Sequence, residues 1–477
     1  MVKRNRDLRM FGLQREAIYD CRPGFVQNCC THFLIISFGK IRKIFIIKLN
    51  MKRILKCVRC GKEYPIDVPR YRCDCGGLLD VALKKESSDD FSSIKDVWRK
   101  RRCSNKAIDQ SGVWRFRELV YDFNEDEIVT FPEGKTNLYK IPPALLDVDS
   151  AFVKHEGENP TGSFKDRGMT IGISFAKKLG YKMAICASTG NTSASLAAYA
   201  ARAGLKAVVF IPDGKIAFGK LSQALAYGAK TLQIQGDFDD AMKAVQEIAA
   251  KHRIYLLNSL NPIRLEGQKT IMIHTLEQLD WNVPDWFVLP GGNLGNTTAF
   301  GKALMELKEF GIINKVPHLA VIQAENANPF YRAYKNGFKE FEPVKAETIA
   351  TAIRIGNPVN YEKAKRSIEF TKGVVEQVSD AEIMLAKSEI DKLGIGCEPA
   401  SAASLAGAKK LRTKGIIKKG DSVVMLLTGN LLKDPGATTD FNLGKLNISG
   451  ATPNAPEKIG NSPEEIEKRI KEILGEQ

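Results

Sequence analysis

Lys165 lies in the segment ENPTGSFKDRG, residues 158–168, between a Pro-Thr-Gly-Ser turn and an apolar-periodic run through Met169, Ile171, Phe175 and Ala176. A lysine at such a strand-to-helix junction sits where an anionic group can be held. Taken alone it is an ordinary solvated charge, so its meaning depends on three further segments. Ala187-Ser188-Thr189-Gly190-Asn191 follows an apolar run and opens an alanine-rich stretch; helix-start N–H groups beside the Ser188 and Thr189 hydroxyls suit a carboxylate. Pro290-Gly291-Gly292-Asn293-Leu294-Gly295-Asn296 is a glycine turn whose main-chain donors can close on a phosphate. No Gly-Lys-Ser/Thr follows it and the dinucleotide spacing is absent, which leaves the phosphate of a smaller molecule. Thr428, in Leu427-Thr428-Gly429-Asn430, puts a hydroxyl at the end of the last apolar run. Each segment by itself is equally a capped helix or a linking turn.

The elements that would position these residues alternate. Short β-branched runs at Ala151 to Lys154, Met183 to Ala187, Ala207 to Ile211, Thr231 to Gln235, Ile254 to Leu257, Trp286 to Leu289, Leu319 to Gln323 and Ser422 to Leu427 read as strands. Helical stretches lie between them, at Ser193 to Ala203, Phe238 to Ala250, Leu265 to Leu279 and Thr298 to Glu309. This pattern predicts an α/β fold with parallel sheets covered by helices. Ligands of such sheets bind at the carboxyl ends of the strands, where the four segments would meet. After Gly450 a Pro-containing linker leads to an amphipathic helix with Ser462 as N-cap and Pro463 at its first position.

At 477 residues, with 44% hydrophobic and 26% charged residues, the chain is large enough for two or three domains. The formal charge of +16 is concentrated at the start, where residues 1–50 carry ten Lys/Arg against three Asp/Glu. The other 427 carry 61 against 52, which gives nucleic-acid binding little support. The apolar run 33–49 is broken by Lys40, Arg42 and Lys43 and is too short to span a membrane; no signal-peptide pattern fits. Residues 1–50 read as a dispensable, disordered extension, and regular domain character starts at Met51. Cys57, Cys60, Cys73 and Cys75 fall within nineteen residues. Cys57-x-x-Cys60 has zinc-knuckle spacing, whereas Cys73-x-Cys75 is one residue short. A small structural zinc ribbon and a hairpin with reduced thiols are therefore both open. Isolated cysteines such as Cys186 and Cys397 fit a reducing cytoplasm.

A lysine, a phosphate loop, an Asn-bearing loop and a distant hydroxyl together match the needs of pyridoxal 5′-phosphate. ENPTGSFKDRG, STGNTSASLAAYAARAG, NSLNPIRLEGQKT, GGNLGN and LLTGNLLKDP resemble the threonine synthases, fold-type II pyridoxal-phosphate enzymes, over about Met51 to Asn447. FPEGKTNLY resembles the family's EGxTPL segment, with Asn137 where proline is usual. The resemblance implies two three-layer parallel-sheet domains with the cofactor in the cleft between them. It divides the chain into the extension (1–50), a zinc-ribbon-like segment (51–80), a catalytic body (81–447) with a smaller mobile domain at about 185–280, and a linker with a C-terminal helix (448–477). It implies Lys165 as the Schiff-base lysine, Asn191 at the ring hydroxyl, Gly291, Gly292, Asn293, Leu294, Gly295 and Asn296 around the cofactor phosphate, and Thr428 at the ring nitrogen. Ser188 and Thr189 would take the substrate carboxylate. Asn258, Ser259 and Arg264 would meet the substrate's own phosphate, with Arg167 as a helper. The implied reaction converts O-phospho-L-homoserine and water to L-threonine and phosphate in a cytoplasmic homodimer. A threonine dehydratase-like or cysteate synthase-like lyase, and a zinc-ribbon nucleic-acid-binding protein, remain as alternatives.

Overall fold

The computed structural model describes residues 51–85, 90–188, 190–212, 218–235, 245–249 and 251–475. The extension read at 1–50 lies outside them, as do Thr189 and most of the helix expected at Phe238 to Ala250. Described strands are β1 (Lys52–Cys57), β2 (Glu63–Pro65), β3 (Leu79–Lys84), β4 (Leu138–Ile141), β5 (Ser150–His155), β6 (Met183–Ala187), β7 (Lys206–Pro212), β8 (Lys230–Ile234), β9 (Tyr255–Leu256), β10 (Trp286–Pro290), β11 (His318–Ala324), β12 (Val374–Val378) and β13 (Ser422–Leu427).

They form three sheets, ordered β2-β1-β3, β12-β11-β10-β13-β5-β4 and β8-β7-β6-β9. The first is antiparallel and carries the four clustered cysteines at its turns. The other two are parallel throughout except for β4, which runs antiparallel to β5. A parallel sheet must be covered on both faces, and the strand alternation supplies both cores. From the six-stranded sheet, Phe287, Leu289, Val321 and Leu426 pack with Phe300 and Ala303 of the helix Gly295–Glu309. Val288, Ile322, Met425 and Leu427 face the other way, toward Ala402, Ala403 and Leu405 of the helix Pro399–Thr413. The four-stranded sheet repeats this arrangement. Cys186 and Val209 pack with Leu196 and Ala200 of the helix Asn191–Ala203, and Ile185 and Phe210 join Val245 and Ala249 on the opposite face.

The charged stretch after the ribbon packs on the body through Trp98 and Trp114, both fully buried. Trp98 stacks on Trp281 with ring centroids 5.6 Å apart. Strand β3 is pinned from below by two buried lysines: Lys302 donates to the Val81 carbonyl, and Lys363 to that of Leu79. Lys302 also meets Glu266, which with Lys269 and Glu306 makes a buried ion cluster. At the other end, Ser462 caps the helix Pro463–Leu474 as expected, accepting from Glu465 N at 3.2 Å. Its Ile466, Ile470, Ile473 and Leu474 are exposed. Among the described residues no helix is long and apolar enough to cross a membrane.

Candidate active site

The Lys165 segment lies against the end of β13. Phe164 N donates to Thr428 O at 3.0 Å, Ser163 and Gly429 form an antiparallel bridge, and Asn430 N donates to Gly162 O at 2.9 Å. The turn before the lysine is shaped by Asp166, whose buried carboxylate accepts from Thr161 N at 2.7 Å, Thr161 Oγ1 at 2.5 Å and Ser195 Oγ at 2.6 Å. Burial raises the Asp166 carboxyl to about 6 against these hydrogen bonds. Lys165 opens the helix Lys165–Lys178 and is half-buried, with Nζ 4.3 Å from the Phe164 ring centroid. Burial and the nearby Arg264 charge lower its ammonium to about 7, while Glu398 opposes them. An amine near pH 7 is neutral about half the time, which is what an attack on an aldehyde requires.

Arg264 lies almost completely buried in the helix Ile263–Gln268, beside Gly168 and Gly172. Its Nη1 donates to Leu257 O at 3.0 Å, but Nε and Nη2 have no hydrogen-bond partner. No carboxylate among the described residues pairs with it. A buried cation left in this condition is costly unless an anion completes it.

The glycine turn after β10 comes close to backbone and side chains on both flanks. A Cβ on Gly291 would lie 2.6 Å from Val321 Cγ1, and one on Gly292 3.2 Å from the Ile353 Cα. Leu294 takes a left-handed φ of 60° and the helix Gly295–Glu309 starts directly after it. The first N–H groups of a helix lack intrahelical acceptors, and here Asn296 Oδ1, Thr297 Oγ1 and Thr298 Oγ1 are also buried without partners. The turn is braced from outside by Asn360, whose N and Nδ2 donate to Asn293 O at 3.3 and 3.2 Å.

Asn191, which follows β6, and Thr428, which follows β13, lie at the ends of strands of different sheets and meet at a residue the sequence did not single out. Asn191 Nδ2 donates to both Glu398 carboxylate oxygens, at 3.3 and 3.1 Å, and Thr428 Oγ1 lies 3.4 Å from Glu398 Oε1. Glu398 stands just before Pro399, so from the sequence it reads as a residue preceding a helix. A second bond between the elements of the two sheets runs from Lys433, which donates to Thr161 O at 3.1 Å and to Gln223 Oε1.

Two expected substrate residues are engaged elsewhere. Arg167 is fully buried and pairs bidentately with Glu156, through Nε to Oε2 and Nη2 to Oε1, both at 2.7 Å. Its remaining donors go to Gly112 O, Gly134 O, Thr136 and Thr270, which leaves none for a substrate. Asn258 faces the Ala187 backbone, accepting from its N–H at 3.0 Å and donating to its carbonyl at 2.9 Å, and so extends the β6–β9 pairing. Ser259 is half-buried, and Ser188 Oγ accepts from Gly190 N at 3.2 Å. Asn137, where proline is usual in the resembled family, donates its N–H to Glu158 Oε2 at 2.6 Å, a bond a proline lacks.

The residues present fit the cofactor that the resemblance implies. They provide a partly neutral lysine, a backbone cradle with unmet polar groups, and an amide and a hydroxyl that approach one carboxylate, that of Glu398. A family model described as pyridoxal-phosphate dependent enzyme matches residues 129–429. Among curated proteins, the threonine synthase of Methanocaldococcus jannaschii is 48% identical over 386 residues, covering 80% of this chain and 93% of the relative. Threonine synthase 2, chloroplastic, of Arabidopsis thaliana is 40% identical over 400 residues, 80% of this chain and 76% of the relative. Two solved structures share the fold. One is processed threonine deaminase isoform 2 of Solanum lycopersicum, with TM-score 0.55 and 19% identity over 65% of this chain and 85% of that one. The other is Escherichia coli diaminopropionate ammonia lyase, with TM-score 0.56 and 15% identity over 73% and 93%.

Proposed function

The chain belongs to the pyridoxal-phosphate-dependent enzymes and, within them, to the threonine synthases, and from that premise we propose how its own residues convert O-phospho-L-homoserine and water to L-threonine and phosphate. One observation carries the assignment of the substrate subsite: the buried Arg264 guanidinium, with two N–H faces unmet, lies close enough to Lys165 to depress its pKa. The glycine cradle after β10 accounts for one phosphate. Arg264 accounts for a second anion, the one the substrate brings, because a planar guanidinium suits a phosphate leaving group.

The cofactor is held by Lys165, the cradle Gly291–Asn296, Asn191 and Thr428, and when bound it supplies an electron-withdrawing ring that takes up charge from the substrate carbons. Lys165 Nζ, neutral near pH 7, then takes the proton from the substrate Cα and is the proton carrier nearest to Cβ. Arg264 anchors the substrate phosphate through Nε and Nη2 and stabilises it as it leaves from Cγ. Ser259 is assigned to that subsite as well, and Ser188 with the helix start at Asn191 receives the substrate carboxylate. Thr189, the next residue in the sequence after Ser188, is assigned the same role. Asn258 supports the subsite by fixing the end of β6. The test is release of phosphate and formation of threonine from O-phospho-L-homoserine with pyridoxal 5′-phosphate present. Formation of 2-oxobutyrate alone would favour the dehydratase reading.

The segment from about 185 to 280 is the smaller, mobile domain in this reading, and the Asn191–Glu398 and Lys433–Gln223 bonds are the contacts its closure makes. Cys57, Cys60, Cys73 and Cys75 form a structural zinc site. Their ligand atoms lie within 4.8 Å of one another, with Cys57–Cys75 and Cys60–Cys73 sulfurs 3.5 Å apart. Four thiolates at ~2.3 Å from one ion would stand roughly 3.8 Å apart, so a small outward adjustment completes the site. Free cysteines support a reducing compartment, the cytoplasm, and the uncovered apolar stripe of the C-terminal helix supports assembly as a homodimer.

A further inference from the structure

Gln268 ends the helix that carries Arg264, and the i, i+4 spacing sets the two side chains on one face. Gln268 is 4% exposed. Among the described residues neither end of its amide has a hydrogen-bond partner, and Oε1 is fully enclosed. A side-chain amide has two hydrogens to donate and an oxygen that accepts, and burying it unpaired is costly. Two glycines let this amide lie flush against backbone. A Cβ on Gly295 would stand 3.2 Å from Gln268 Oε1, and one on Gly168 would stand 3.3 Å from Nε2. Gly295 opens the helix that completes the cradle after β10, where the Asn296, Thr297 and Thr298 side-chain oxygens are also unmet. Gly168 lies in the first turn of the helix that Lys165 opens. The unpaired amide therefore borders the cradle and the lysine helix at once.

We propose that Gln268 is a further cofactor-binding residue, whose amide donates through Nε2 to the phosphate held in the glycine cradle. The inference rests on the reading of that cradle as the cofactor's phosphate site and adds a side-chain donor to a turn that otherwise offers backbone. An ionised phosphate oxygen only accepts, so Nε2 is the contacting end. A half-turn of the amide brings Nε2 to the place beside Gly295 that Oε1 holds, and it breaks no hydrogen bond. An amide also binds the phosphate without adding a charge where Arg264 already keeps a buried cation without a carboxylate.

The test compares the affinity of the full-length protein for pyridoxal 5′-phosphate with that for pyridoxal, which lacks the phosphate, both read from the visible absorbance gained on bonding to the protein. The unaltered protein is expected to favour pyridoxal 5′-phosphate strongly. No preference would overturn the cradle reading, and the role of Gln268 with it. Gln268→Met, similar in volume but without the amide, should weaken pyridoxal 5′-phosphate about tenfold to a hundredfold, the effect of one hydrogen bond to a charged group, and leave pyridoxal unchanged. A residue that only packs would weaken both alike or neither; either result overturns the proposal and leaves the cradle reading in place. With pyridoxal 5′-phosphate saturating, the KM for O-phospho-L-homoserine should change little. A raised KM at unchanged cofactor affinity would give Gln268 to the substrate's phosphate and overturn the proposal. Where Gln268→Met does not fold, a structure of the unaltered protein with pyridoxal 5′-phosphate decides: Nε2 is expected within about 3.2 Å of a phosphate oxygen, and a separation beyond hydrogen-bond reach overturns the proposal.

Discussion

Replacing Arg264 by methionine has two expected effects of opposite sign, and together they separate a binding arginine from a structural one. Burial holds the guanidinium at about 10, well under its ordinary value. At ~1.4 kcal/mol per pKa unit, the free protein carries roughly 3 kcal/mol for keeping this cation in place. Because the folded value lies below the unfolded one, the penalty is complete at neutral pH and is relieved only as pH rises through about 10. Methionine fills similar space without charge and gives up the bond to the Leu257 carbonyl, about 1 kcal/mol. The net expectation is a free protein more stable by about 2 kcal/mol, read as a melting point a few degrees higher. Catalysis moves the other way. Two charged hydrogen bonds to a phosphate, at about 1.5–3 kcal/mol each, predict a fall in kcat/KM of a hundredfold to more than a thousandfold in a phosphate-release assay. With pyridoxal 5′-phosphate saturating the glycine cradle, inorganic phosphate should further raise the melting point of the unaltered protein and not that of the variant. A variant that is less stable while keeping its kcat/KM would refute the argument, and Arg264 would then be part of the scaffold.

Lys165→Ala is expected to abolish the visible absorbance that pyridoxal 5′-phosphate acquires on bonding to the protein; survival of that band would remove Lys165 from its role. The rate at which cofactor-free protein captures pyridoxal 5′-phosphate should rise with pH and level off above about 7, since only the neutral amine attacks. Arg264→Met should move that inflection upward and Glu398→Gln downward, because the two charges act on Lys165 in opposite senses. Metal analysis of protein purified without chelators should give about one zinc per chain. Cys57→Ser should lower that content and loosen β3, with reduced thermal stability and little direct effect on the chemistry.

The parallel strands were legible wherever burial on both faces leaves a continuous apolar run: Met183–Ala187 and Ser422–Leu427 match the observed β6 and β13 residue for residue. The edges of the four-stranded sheet, β8 and β9, were also expected, at Thr231 to Gln235 and Ile254 to Leu257, but the two edge strands of the six-stranded sheet were not. Val374–Val378, VVEQV, and Leu138–Ile141, LYKI, are short and half polar because one side of each meets solvent or a loop. In the proposed site, Lys165, Asn191, Thr428 and the glycine cradle stand out in the sequence because glycine, small and hydroxyl residues replace bulky ones at strand ends, and the structure sets the lysine turn against the end of β13 and brings Asn191 and Thr428 to Glu398. Arg167 misled for the opposite reason. A charge two residues from the lysine reads as a ligand, and nothing nearby in the sequence reveals that Glu156, Gly112 and Gly134 consume its donors. Glu398 was invisible because its meaning lies in contacts with Asn191 and Thr428, far away along the chain.

The strap that joins the lysine turn to the end of β13 bears on how the protein is made. Gly162, Ser163 and Phe164 are held by backbone bonds to Thr428, Gly429 and Asn430, and β13 itself is inserted between β10 and β5, strands translated long before it. A chain still emerging from the ribosome has its lysine early and lacks the strand that orients it. Competence to capture the cofactor therefore arrives only when the last central strand has threaded into the sheet. Growth of the cofactor's absorbance during synthesis would time the completion of the fold, and a chain truncated before Ser422 would stay colourless however much of its helix content had formed.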